Sequence, residues 1–165
     1  MVAALVVVAG CGTGSENAAS GSPTDSASTT TTTPALLDFT SETVDGAPFD
    51  GASLSGKPTV LWFWAPWCPT CHAQISGVSE LAETYGADVN VVGVGSLDEE
   101  DAIVGFAGEV SPDVTLLSDP DGGVWRQFGV TAQSTYLVLD EDGTERASGY
   151  LDDAELEALV EDLAG

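Results

Sequence analysis

The chain has 165 residues, with 27 acidic side chains against three basic ones (Lys57, Arg126 and Arg146) and a formal net charge of -24. Such a surface excludes nucleic acid and anionic membrane as partners held by electrostatic attraction. The hydrophobic content of 43% is ordinary for a globular chain, so the charge does not imply disorder, and the length allows one domain. A surface of one sign repels itself and is relieved by salt, which fits either a high-salt habitat or an acidic secreted protein.

Residues 2–9 form an unbroken apolar run, followed by Gly10 and Cys11. As a helix this run spans only about 12 Å, too short for a bilayer, and it fits the apolar region of a signal peptide. The sequence "VAGC" resembles a bacterial lipobox, which implies lipidation at Cys11 and a signal segment over residues 1–11. The usual basic start of such a segment is missing, as it would be from a truncated beginning. Residues 12–34, "GTGSENAASGSPTDSASTTTTTP" with its closing proline, offer no side chains for a core and read as a disordered linker. A domain is therefore expected over residues 35–165, tethered to the outer face of the cell membrane by lipid alone, or else secreted.

Within that domain the first segment, interrupted at Asp45-Gly46 and Gly56, predicts a small hairpin beside the main sheet. The apolar run at 59–65 predicts a strand covered on both faces. Ile75, Val78, Leu81, Ala82 and Tyr85 recur at helical spacing and predict a helix over 72–85. A second buried strand follows at 88–95, then a helix at 98–107 with acidic residues in its first turn. A short strand at 114–117 and a short helix at 122–128 come next. Residues 135–139 and 145–149 bracket a turn and predict an antiparallel hairpin. The chain closes on an amphipathic helix at 151–163 with Leu156, Leu159, Val160 and Leu163 inward. This order implies an α/β domain with helices on both faces of a mixed sheet.

The stretch "LWFWAPWCPTCH" places Cys68 after the central strand and Cys71 at the next helix start. Unpaired N–H groups and the positive end of the helix favour a thiolate there. Two cysteines two residues apart can close a small disulfide, and the second can resolve a mixed disulfide made by the first. Cys68, at the junction and expected to be exposed, is the candidate nucleophile, and Cys71 the resolving thiol. Trp67 is expected to flank Cys68 and offer an apolar docking surface, whereas Trp62 and Trp64 belong to the core. Structural zinc wants four Cys or His ligands, and Cys68, Cys71 and His72 are too few, so no metal and no other cofactor is expected. A permanent disulfide is a poor staple across so small a loop. His72 is expected as an exposed first-turn residue. Asp119-Pro120-Asp121-Gly122 is too short for a calcium loop and reads as a turn and helix cap.

The segment "WFWAPWCPTCHAQI", with "DFTSETVDGAPF" before it and "LSDPDGGVWRQFGV" and "YLVLDEDG" after it, resembles the thioredoxin-fold proteins. The WCPTC form is most similar to the secreted TlpA/DsbE-like (ResA-like) redoxins of actinobacteria. The resemblance implies a three-layer α/β/α sandwich with a central mixed β-sheet. It also implies reversible disulfide chemistry at Cys68 and Cys71, with Pro69 and Thr70 between them as active-site neighbours. That family places a cis-proline opposite the pair, where this chain has Ser134. A cis bond before serine costs about 2.5–4 kcal/mol, so Gln133–Ser134 is expected to be trans. Its hydroxyl is then either a hydrogen-bond partner for a thiolate or a neutral replacement. Gln74 and Ser76 stand where relatives commonly carry Glu and Pro, which removes one candidate for proton handling, and Glu80 is no obvious substitute.

The reading that follows is an extracytoplasmic thiol–disulfide oxidoreductase acting on protein thiols or disulfides with an unidentified redox partner, as a monomer. Two alternatives stand beside it. One is a peroxide-reducing redoxin, for which WCPTC is a poor match. The other is a lipid-anchored binding module for copper or cytochrome assembly, in which the cysteines hold a metal or a target thiol.

Overall fold

The structure, a computed structural model, describes residues 34–165. The expected signal segment, Cys11 and the linker up to residue 33 lie outside the described residues. In chain order, β1 (Thr40–Thr43) and β2 (Pro48–Asp50) form a hairpin, with 3-10 turns at Ala35–Leu37 and Gly51–Leu54 on either side of it. Then follow β3 (Thr59–Trp64), α1 (Pro69–Tyr85), β4 (Asn90–Gly95), α2 (Glu100–Ala107), β5 (Thr115–Ser118) and α3 (Gly123–Gln127). A second hairpin, β6 (Thr135–Leu139) with β7 (Glu145–Gly149), leads into the closing helix α4 (Asp153–Ala164).

One seven-stranded mixed sheet has the order β2-β1-β5-β4-β3-β6-β7. The parallel pairs β3–β4 and β4–β5 form its middle, and antiparallel strands continue it on both sides. The first hairpin thus does not sit beside the sheet as expected. β1 pairs with β5, Glu42 opposite Ser118 and Thr43 opposite Leu117, and so extends the sheet. Pairing satisfies edge N–H and C=O groups that would otherwise need water or another chain.

All six residues of β3 are buried, which explains its continuous apolar sequence. Val60, Trp62 and Trp64 face a cluster with Val78 and Leu81 of α1, Ile103 and Phe106 of α2, and Leu156 and Val160 of α4. Leu61 and Phe63 face the opposite cluster, with Val124 and Trp125 of α3 and Leu37 and Leu54 of the 3-10 turns. The molecule is accordingly the expected α/β/α sandwich with a central mixed sheet. Leu159 and Leu163 pack half-buried against the first cluster, while Leu156 and Val160 are buried in it.

Local chemistry sets the element ends. α1 begins three residues before the predicted helix, because Cys68 serves as N-cap and Pro69 enters at a position where its missing N–H is not needed. α2 begins two residues later than predicted. Leu97 takes a left-handed conformation (φ +64°) and Asp98 Oδ1 accepts from Glu99 N at 2.8 Å, so both residues belong to a turn. Gly122 is the N-cap of α3, and the buried Asp119 ahead of it accepts from the first-turn Trp125 N at 3.0 Å through Oδ2. Asp152 and Glu155 form a reciprocal capping box on α4.

The central ladder depends on a size match. Trp62 lies opposite Gly93 and Trp64 opposite Gly95 across the parallel pair. A Cβ on Gly95 would stand 2.5 Å from the Trp64 ring and 2.9 Å from Ile103. Both neighbours are fully buried, so neither can swing away without disturbing the core. Gly95→Ala is therefore expected to destabilise the protein by about 1–3 kcal/mol, read as a lower urea midpoint at unchanged slope.

Candidate active site

β3 delivers the chain to the sheet's C-terminal end, where Ala65 O accepts from Cys68 N at 3.1 Å and closes a tight turn. Cys68 then caps α1 through its side chain, with Cys71 N donating to Cys68 Sγ at 3.2 Å. Sulfur here takes the place of the usual N-cap oxygen, so an otherwise orphaned helix N–H is aimed at the candidate nucleophile. Pro69 and Thr70, between the cysteines, are exposed. Cys71 lies one turn in and is fully buried, and neither cysteine is in a disulfide.

The exposed junction expected for Cys68 is corrected by the structure, because Cys68 is only 3% exposed. The loop before β6 crosses over the pair and brings Ser134 Oγ to 3.1 Å from Cys68 Sγ and 3.2 Å from Cys71 Sγ. No cis peptide occurs among the described residues, so Gln133–Ser134 is trans, and Ser134 adopts a left-handed backbone (φ +61°). Trp67 stands outside this enclosure, 54% exposed, with its indole N–H donating to Leu97 O at 3.1 Å. Leu97 is itself exposed, and its left-handed backbone is what presents that carbonyl.

Two sulfurs one helical turn apart thus have opposite environments. Burial alone pushes the Cys68 thiol up, but the Cys71 and Ser134 side chains and the N–H groups of Cys71 and Thr70 together hold it below the ordinary thiol value. For Cys71, burial dominates and the hydrogen bond with Cys68 adds to it, so its thiol is pushed up to about 11. Of the two, Cys68 is therefore the sulfur that gives up its proton first, while Cys71 remains a thiol.

The structure also gives Gln74 and His72 tasks that the sequence reading did not assign. Gln74 is buried; its Oε1 accepts from Trp62 Nε1 at 2.9 Å and its Nε2 donates to Ser134 O over a long 3.5 Å. An indole N–H can only donate, which fixes the amide orientation. His72 is exposed as expected but not idle. Its ring lies 4.6 Å from that of Phe106, with Nε2 3.1 Å from Pro66 O and Nδ1 3.5 Å from Glu109 Oε2. The one available signal for Glu109 was its place just after an amphipathic helix. Ser76 and Glu80 are exposed and neither hydrogen-bonds to the cysteine pair.

These environments predict a stepwise alkylation of the reduced protein. At pH 7 iodoacetamide should modify Cys68 alone, and its rate should fall as pH drops through the depressed Cys68 value. Cys71 should react only as pH approaches about 11, the whole series being read by peptide mass spectrometry.

The family profile described as Redoxin matches residues 29–163. Over 108 residues the chain is 43% identical to the Soluble secreted antigen MPT53 of Mycobacterium tuberculosis, an alignment covering 66% of this chain and 62% of that protein. The chain therefore spans about three fifths of the length of this curated relative. Among solved structures, MTB dsbF, described in mixed oxidized and reduced forms, superposes with a TM-score of 0.75 at 42% identity, over 80% of this chain and 99% of that one. A secreted Mycobacterium tuberculosis disulfide oxidoreductase homologous to E. coli DsbE gives a TM-score of 0.70 at 37% identity, over 78% of this chain and 98% of that one. The sheet order, the cysteine pair at a helix start and the loop above it lie within the matched span, and the chain belongs to the Redoxin family of the thioredoxin superfamily.

Proposed function

We propose that the protein is an extracytoplasmic thiol–disulfide oxidoreductase acting on protein cysteines or disulfides, with Cys68 as nucleophile and Cys71 as resolving thiol. The observation that carries this reading is the placement of the two sulfurs at one helix start: Cys68 Sγ accepts from the Cys71 N–H at 3.2 Å, which favours its thiolate, and Cys71 is fully buried, which favours its thiol. A thiolate is the attacking species in disulfide exchange, and a protonated neighbour waits until a mixed disulfide has formed. Similarity to a secreted antigen and to a secreted disulfide oxidoreductase supports a setting outside the cytoplasm, where catalytic disulfides persist. Residues 1–11 and 12–34 add the finer proposal of a signal segment, a lipid on Cys11 and a flexible tether, with the domain acting as a monomer. Trp67 and Leu97, exposed side by side next to the pair, are the proposed docking surface for a protein partner.

Cys71→Ser is expected to trap partner proteins on Cys68 as mixed disulfides that dithiothreitol releases, while Cys68→Ser traps none. Equal trapping by both variants, or by neither, would reject the assignment. For the tether, mass spectrometry of the protein expressed from its full gene should find Cys11 as a diacylated or triacylated N-terminus in the membrane fraction. An unprocessed chain in that fraction would count against the anchor.

A further inference from the structure

We infer that Ser134 is a catalytic residue of this pair, a hydroxyl that donates its hydrogen bond to whichever of the two sulfurs carries the negative charge as the disulfide opens and closes. The inference rests on the thiol–disulfide reading above and assigns a chemical role within it.

The geometry is specific. Ser134 Oγ lies almost equally far from both sulfurs, at 3.1 Å from Cys68 Sγ and 3.2 Å from Cys71 Sγ, in a residue only 9% exposed. A hydroxyl has one hydrogen and two lone pairs, so it can donate to only one sulfur at a time while accepting from a thiol. Its hydrogen therefore goes to the charged sulfur, and a hydrogen bond to an ion in a buried site is stronger than one between neutral groups. Cys68 has a second source of help, the Cys71 N–H that caps onto it. Cys71 has a hydrogen bond from the Ala65 backbone and, among side chains, only those of Cys68 and Ser134. Once Cys68 is tied up in a disulfide, the serine is the side-chain donor left for a Cys71 thiolate.

The position is held rather than incidental. Serine in the left-handed region is uncommon and costs about 1–2 kcal/mol, which glycine would avoid. Behind it, Trp62 Nε1 fixes the Gln74 amide, and Gln74 Nε2 faces the Ser134 carbonyl. Strain of this kind persists where the surroundings enforce it.

The chemistry balances with the pair and its substrate alone. As the pair is oxidised, the Cys68 thiolate attacks a disulfide R–S–S–R′; a Cys68–S–S–R bond forms as the substrate S–S bond breaks, and R′–S⁻ leaves and takes a proton from water. Cys71 then gives up its proton and attacks Cys68 Sγ; the internal disulfide forms, and R–S⁻ leaves as the group that is protonated. Two electrons pass from the cysteine pair to the substrate disulfide. In reverse, a substrate thiolate attacks Cys68 Sγ, the internal disulfide breaks, and Cys71 departs as a thiolate, whose sulfur lies 3.2 Å from the Ser134 hydroxyl when the pair is free. The serine transfers no proton in either direction; it only turns.

Ser134→Ala and Ser134→Gly are compared with wild type in two measurements on the full chain. The first is the pH midpoint of Cys68 alkylation in the reduced protein. The second is the rate at which a Cys68–thionitrobenzoate mixed disulfide releases its coloured thiolate as Cys71 closes the pair. Both variants should raise the midpoint by about one pH unit and slow closure about tenfold at pH 7, with native circular dichroism. Alanine keeps the strained backbone and glycine relieves it, so equal losses in the two assign the effect to the hydroxyl. A loss in alanine alone, or values within about twofold of wild type in both, would overturn the role. Failure of wild type itself to release thionitrobenzoate would overturn the redox reading, and this role with it, before any variant is compared.

Discussion

Trp62 and Trp64 lie over Gly93 and Gly95 of the neighbouring strand, and this large-on-small fit sets the position of everything at the end of β3. The rings need glycine opposite them because a single Cβ on Gly95 would overlap the Trp64 ring. Phe106 of α2 stacks on Trp64 with centroids 4.2 Å apart and so locks the layer from above. Trp62 also has a polar edge, which binds Gln74 within α1. One core side chain therefore fixes a strand, a helix and, through Gln74, the loop that carries Ser134.

The cysteine pair is tuned by neutral dipoles. Its hydrogen-bond partners are backbone N–H groups and one hydroxyl, with no carboxylate, lysine or arginine among them. Dipoles fixed in a buried site do not reorganise during reaction and are little affected by ions in solution. The exterior is the opposite case, a field of unbalanced carboxylates that salt screens readily. Reactivity of the pair and behaviour of the surface are thus separable, although both belong to one small domain.

The sequence was informative wherever the signal is local. The apolar run of β3 marked a strand buried on both sides, the turn between β6 and β7 marked a hairpin, and the inward leucines and valine of α4 marked its packed face. The cysteine spacing located the candidate site for the same reason. Contacts across long stretches of chain were not legible. Cys68 reads as exposed in one dimension because the loop that covers it lies 66 positions away. Leu97 carries no glycine or asparagine signature for its left-handed turn, which is held by a hydrogen bond from Trp67. His72 had a predictable place on its helix, but its partners Phe106 and Glu109 come from α2 and the turn after it.

The three cationic side chains show what so acidic a composition leaves over. Lys57 Nζ donates to Ala87 O, Arg126 Nη1 donates to Asp121 O, and Arg146 lies 4.0 Å from Asp162. Each fastens one part of the chain to another, and at least two are bound to carbonyls and not to carboxylates. Hardly any positive charge remains to offset the anionic exterior. Two copies approaching with their cysteine pairs foremost therefore meet a repulsive barrier before any sulfur comes within reach. Disulfide exchange between an oxidised and a reduced copy is slowed, most at low salt, by the same charge that leaves a cationic or uncharged partner free to approach.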